Sequence, residues 1–90
     1  MRHPEKAEIL DRMGANIVRF RERRGWTRAD LATLLGVTTR RLAGWEEGKH
    51  EMHLKYFVAV GELLEVSLDD LLEMTAEDPL PELPWSQHPN

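Results

Sequence analysis

Only Gly36, Val37 and Thr38 separate two stretches, 28–35 and 39–46, in which apolar side chains recur at helical spacing: Leu31 and Leu35 in the first, Leu42 and Trp45 in the second. A joint that short cannot lay two helices side by side in antiparallel fashion, so the pair must cross steeply. The residues at the joint suit that geometry. Gly36 can take the positive φ that other residues reach only under strain. Ala32 keeps the first segment thin where the other passes over it, because a larger side chain would push the axes beyond the roughly 8–10 Å of close packing. Two short helices crossing at a glycine turn make a helix-turn-helix.

The flanking sequence supplies the rest of a small bundle. Ile9, Met13, Ile17 and Phe20 recur at intervals of four, four and three, which predicts a first helix over 5–24 with Arg12, Arg19 and Arg23 on its other face. Gly25 suits its C-terminal end. Thr27 is a hydroxyl N-cap for a helix over 28–35, with Asp30 three residues on in a capping-box position. Thr38 plays the same part for a helix over 39–46, which ends before Gly48. Leu54, Phe57, Val58, Gly61 and Leu64 predict a fourth helix over 53–64 as one apolar face. Ser67 and Asp70 form a further capping box for a short fifth helix over 68–74 that buries Leu68, Leu71 and Leu72. No segment alternates with period two for long enough to make a strand. The expected fold class is all-α, a compact bundle of about five helices within a domain spanning 1–74. Residues 75–90, TAEDPLPELPWSQHPN, hold four prolines and are expected to form an extended acidic tail outside the packed helices.

A chain of 90 residues that is 41% hydrophobic closes one modest core. It contains no cysteine, which removes disulfides and thiolate metal ligands and suits a reducing compartment. No apolar run approaches the roughly 20 residues of a membrane span, and the opening MRHPEKAE lacks the apolar segment of a secretory signal. The protein is therefore expected to be soluble and cytoplasmic. Its net charge of −4 conceals a strong asymmetry. Residues 16–45 carry seven arginines against Glu22 and Asp30, whereas residues 46–90 carry Lys49 and Lys55 against eleven acids. A basic third joined to an acidic half is the pattern of a molecule that meets phosphate with one face and stays soluble with the rest.

About residues 13–72 resemble the lambda-repressor and Cro-like (XRE-type) helix-turn-helix family of phage and bacterial regulators. The resemblance rests on MGANIVRFRERRGWTRADLA, on LGVTTRRLAGWEEGK and on EVSLDDLL taken together. It implies a bundle of four or five helices that binds operator DNA, usually as a dimer, and hence a transcriptional regulator, repressor or autoregulator, partnered by double-stranded DNA and a second copy of itself. Carried over by position, Thr39, Arg40 and Gly44 match the residues of the third helix that face base edges. Arg40 is the best suited of them to read sequence, since a guanidinium can bond O6 and N7 of guanine together. Gly44 brings no side chain to its position. Arg28 stands where the family commonly has a glutamine that contacts phosphate, and Thr38, Arg41 and Lys49 are the other expected phosphate partners. Arg21 and Glu46 match a pair that bridges helices 1 and 3, and are assigned to architecture.

Competing readings are weaker. Arg23 and Arg24 fit the solvated face of the first helix as well as any contact with DNA. Trp26 and Trp45 fall on apolar positions and are expected in the core. His50 and His53 flank Glu51 without a third or fourth ligand at metal spacing, so no metal and no cofactor is expected. No nucleophile–base pattern or phosphate-cradling glycine loop is present, which argues against an enzyme. The tail has two readings: a disordered remnant, or an anchor in which Leu80, Leu83 and Trp85 grip a partner subunit or another protein. A different class of function also fits the acidic half, namely a helix-turn-helix adaptor or antitoxin-like module that holds a basic protein partner.

Overall fold

The computed structural model describes residues 6–72, which form α1 (Lys6–Arg23), α2 (Arg28–Leu35), α3 (Thr39–Glu46), α4 (Leu54–Leu64) and α5 (Leu68–Leu72). No strand occurs among the described residues. Residues 73 and 74, expected at the end of the fifth helix, and the tail 75–90 with Leu80, Leu83 and Trp85 lie outside the described residues.

Local chemistry sets where the helices start. The Asp30 amide donates to Thr27 Oγ1 at 3.1 Å while the Thr27 amide donates to Asp30 Oδ2 at 2.8 Å, a closed capping box at the head of α2. Ser67 and Asp70 exchange the same two bonds at 3.0 and 3.4 Å ahead of α5. Thr38 Oγ1 accepts from the Arg41 amide at 3.0 Å, and His53 Nδ1 accepts from the Lys55 amide at 3.2 Å. One motif also ends four of the helices. At the end of α2, the Val37 amide returns to the Ala32 carbonyl at 3.0 Å and the Gly36 amide to that of Thr33 at 3.1 Å, with Gly36 at φ 73°. Equivalent paired bonds close α1, α3 and α4, satisfying carbonyls that the helix itself leaves open. At the end of α4 the left-handed residue is Glu65, at φ 58°, where glycine is usual.

Each helix then contributes one aliphatic side chain that is wholly withdrawn from water: Ile17, Leu31, Leu42, Val60 and Leu71. Burial of each such side chain is worth about 1.5–3 kcal/mol. Ala32, Trp45, Phe57 and Leu64 complete the core, and Met13, Phe20, Trp26, Leu35 and Val37 pack around it. Some positions expected inside are not. Ile9 is 44% exposed on α1, ahead of the layer that Met13 begins. On α4, Leu54 is 68% and Val58 36% exposed, because the buried stripe runs through Phe57, Val60, Gly61 and Leu64, to one side of the expected face. Leu68 and Leu72 of α5 are likewise exposed, leaving Leu71 alone to carry that helix into the core.

Two features hold α1 against the rest. A Cβ on Gly14 would collide with the carbonyl oxygen of Glu46 and stand 2.6 Å from that of Trp45, so the backbones of α1 and α3 touch directly there. Buried Asn16 donates through Nδ2 to the Leu71 carbonyl at 2.7 Å, tying α1 to α5. Arg24 reaches α4, donating to the Leu64 carbonyl at 3.1 Å and pairing with Glu65 at 3.0 Å.

A buried ion cluster joins the two helices of the motif to α1. The Glu46 side chain is fully buried. Its Oε2 accepts from Arg21 Nε at 2.8 Å and its Oε1 from Arg21 Nη2 at 3.2 Å, a bidentate pair. Arg28 Nε adds a third bond to Oε1 at 2.8 Å, and Arg21 Nη1 donates to the Trp26 carbonyl at 2.9 Å. Removing the carboxylate would leave a buried guanidinium uncompensated. Glu46→Gln is therefore expected to lower the unfolding free energy by about 3–5 kcal/mol in urea titration, and Glu47→Gln, at the exposed neighbour, by about 1 kcal/mol or less. Equal losses in the two variants would contradict a structural role for the cluster.

The capping box of α2 makes a pH prediction. The Thr27 amide, followed by the Thr27 hydroxyl, stabilises the Asp30 carboxylate and holds its pKa below the ordinary aspartate value. A depressed native pKa stabilises the fold above the unfolded-state pKa, and the contribution disappears as pH falls through the native value. NMR titration of the Asp30 carboxyl should show a midpoint below that of a free aspartate. Thr27→Ala, which removes the hydroxyl but keeps the amide, should move it part of the way back. An ordinary midpoint in the parent protein would refute the box.

Candidate nucleic-acid interface

The turn at Gly36 delivers α3 with its first residues outward. Thr38, Thr39, Arg40 and Arg41 are all exposed, whereas Leu42, Trp45 and Glu46 turn inward. This division follows from the 3.6-residue repeat once Leu42 and Trp45 are committed to the core. Arg40 makes no hydrogen bond, ion pair or ring contact among the described residues. Its charge stands in water beside Thr39, at the opening turn of the helix.

The remaining cations of this face are each held in place. Arg41 lies against two rings, 5.2 Å from the centroid of Trp45 and 5.1 Å from that of Tyr56, and those rings pack on each other at 5.2 Å. Such contacts orient a guanidinium without neutralising it. Trp45 thus lines the core with one part of its surface and supports Arg41 with another. Lys49 Nζ pairs with Glu47 Oε1 at 3.1 Å. Arg28, expected to face phosphate, is instead drawn toward α3 by Glu46, with Nη1 3.6 Å from Glu47 Oε2; its side chain is still 35% exposed. Within this group Arg21, Arg28 and Lys49 face Glu46 and Glu47, three cations against two carboxylates, so a positive excess survives at the surface.

Gly44 is covered. The imidazole of His50 lies over it, with Cδ2 2.6 Å from where a Cβ would stand. Its sequence neighbours have other tasks: His53 caps α4, and Glu51 pairs with Lys6 at 2.9 Å. Among the described residues no three His, Asp or Glu side chains gather as a metal site, and no helix is long and apolar enough to cross a membrane. Sequence reasoning passed over Gly14, Asn16 and the seat of His50. A glycine inside an amphipathic helix was the one available signal for the first; the other two depend on contacts between distant elements or on the path of a turn. Arg24, which suits the solvated face of α1 as well as a contact with DNA by sequence, ties the end of α1 to that of α4 and lies 5.3 Å from the ring centroid of Trp26.

Solved structures share this arrangement. The hypothetical transcription factor NHTF from Neisseria superposes with a TM-score of 0.72 at 21% identity, covering 86% of this chain and 88% of its own. The clp gene regulator ClgR from Corynebacterium glutamicum gives 0.68 at 27% identity over 79% of this chain and 72% of its own. The restriction-modification controller protein C.AhdI from Aeromonas hydrophila gives 0.65 at 22% identity over 69% and 94%. No curated protein sequence matches the chain. The helix-turn-helix family model HTH_3 matches residues 17–71, a span that contains α2, the Gly36 turn and α3 together with the buried Arg21–Glu46 pair. The chain belongs to that lambda-repressor-like helix-turn-helix family of DNA-binding transcription regulators.

Proposed function

We propose that the protein is a sequence-specific transcriptional repressor or autoregulator that sets α3 into the major groove of operator DNA. The observation that carries this reading is Arg40, an exposed guanidinium on the opening turn of α3 with no partner among the described residues. A guanidinium in that place can bond guanine O6 and N7 together, worth about 1–3 kcal/mol of discrimination. Thr39 offers a methyl group to thymine beside it. Gly44, the third position assigned to base edges, has no side chain and is buried beneath the His50 ring. Thr38, Arg41, Lys49 and Arg28 are assigned to phosphates. The Thr38 hydroxyl accepts from the Arg41 amide and keeps its own proton for a phosphate oxygen. Arg28 serves through the charge that Glu46 does not cancel. Exposed Glu62 and Asp69 belong to α4 and α5 and Glu65 to the turn between them, segments that supply none of these contacts.

A single module of this size gains affinity and site length by pairing, and two copies related by a two-fold axis would span half-sites about 34 Å apart. Exposed Ile9 on α1 and Leu68 and Leu72 on α5 are apolar side chains available to such a pair. Sedimentation should give the mass of two chains, and Leu72→Glu the mass of one. A parent protein that is monomeric both alone and on DNA removes the dimer.

Selection from random duplexes tests the binding itself. An enriched motif is expected, with Arg40→Ala relaxing choice at one base pair by about tenfold or more. Lys49→Ala should weaken all duplexes alike and flatten the log–log dependence on salt by about 0.9. A selection that enriches nothing sinks this reading and favours the adaptor module, whose acidic half would then be the binding surface.

A further inference from the structure

Gly44 is a glycine without a backbone reason. It lies inside α3 with helical geometry, unlike Gly25, Gly36 and Gly48, which all have positive φ. Glycine weakens a helix interior relative to alanine, and α3 spans only Thr39–Glu46. What excludes a side chain at this position is the ring of His50. The Cδ2, Nε2 and Cγ atoms of His50 stand 2.6, 3.5 and 3.6 Å from the place a Cβ would occupy, so even alanine would displace the ring.

The turn that ends α3 explains how the ring arrives there. The Lys49 amide donates to the Gly44 carbonyl at 2.9 Å and the Gly48 amide to that of Trp45 at 3.1 Å, folding the chain back along the helix it has just left. His50 follows directly and is carried over Gly44, while remaining exposed. Gly44 lies one helical turn beyond Arg40 and Arg41. The imidazole therefore fills the space of a missing α3 side chain, on the part of the helix next to the exposed arginines.

We propose that His50 supplies the base contact that Gly44 withholds, its ring nitrogen donating to O6 or N7 of a guanine in the major groove. The proposal rests on the reading of α3 as a recognition helix. Imidazole carries an N–H donor in either neutral tautomer, and guanine presents two acceptors on that edge. The turn already carries the ring over Gly44 before DNA arrives, which reduces the ordering cost of the contact. Gly44 and His50 then form one specificity unit, in which a side chain at either position excludes the other's present role.

Random-duplex selection and melting curves on the full chain, with His50→Ala, His50→Phe, Gly44→Ala and the Gly44→Ala/His50→Ala double variant, test this. The parent motif should contain a base pair, distinct from the one Arg40 governs, whose preference falls about tenfold or more in His50→Ala. His50→Phe keeps a ring over Gly44 but has no N–H, and should lose the same preference. Gly44→Ala should lose it too by pushing the ring aside, and the double variant should be no worse than His50→Ala alone. Folded variants that return the parent motif unchanged overturn the proposal, as does uniform weakening on every sequence, which would make His50 a packing residue. A parent protein that enriches no motif fails the DNA reading itself and this contact with it.

Discussion

The carboxylate of Glu46 is the point on which the geometry turns. It ends α3, yet it is buried and gripped by Arg21 from α1 and Arg28 from the head of α2. A charge taken out of water is tolerated only when its partners are near and well aligned, so three segments must meet in one relative placement. Apolar packing alone is less exacting, since cores accept repacking at modest cost. The buried core, aliphatic and aromatic together, supplies the driving force for collapse, while the ion cluster restricts the arrangements that satisfy its charges. The outward face of α3 inherits its position from that restriction.

Much of this was legible in the order of residues, for identifiable reasons. Capping boxes at Thr27–Asp30 and Ser67–Asp70 and the turn at Gly36 are governed by residues within a few positions of one another, and local chemistry is what a sequence displays. The core of the motif was equally plain, because Leu31, Leu42 and Trp45 have no other apolar face to choose. The face of α4 was not: that helix offers Leu54, Phe57, Val58, Val60, Leu63 and Leu64, and its rotation is settled by neighbours and not by its own pattern. The engagement of Arg28 with Glu46 crosses from one helix to the other, and the seat of His50 depends on the return path of a turn. Spacing rules describe single elements and do not report contacts of those kinds.

Charge is arranged at two scales. Across the chain, basic residues concentrate before residue 45 and acids after it. Within the basic region the cations divide further into Arg21, consumed by the fold, Arg28, shared between the fold and the surface, and Arg40, left wholly to solvent. Aromatic rings contribute to the same economy, since Arg41 is aimed by Trp45 and Tyr56 without losing its charge.

The contact at Gly14 has an evolutionary corollary. At Gly14 the main chain of α1 meets that of α3 with no side chain between, so a change of side-chain volume has no purchase on α3 at that point. On the reading proposed for α3, recognition would change by exchange of the groups at positions 39, 40 and 50 while the mount beneath them stays as it is, which separates the inheritance of shape from the inheritance of preference.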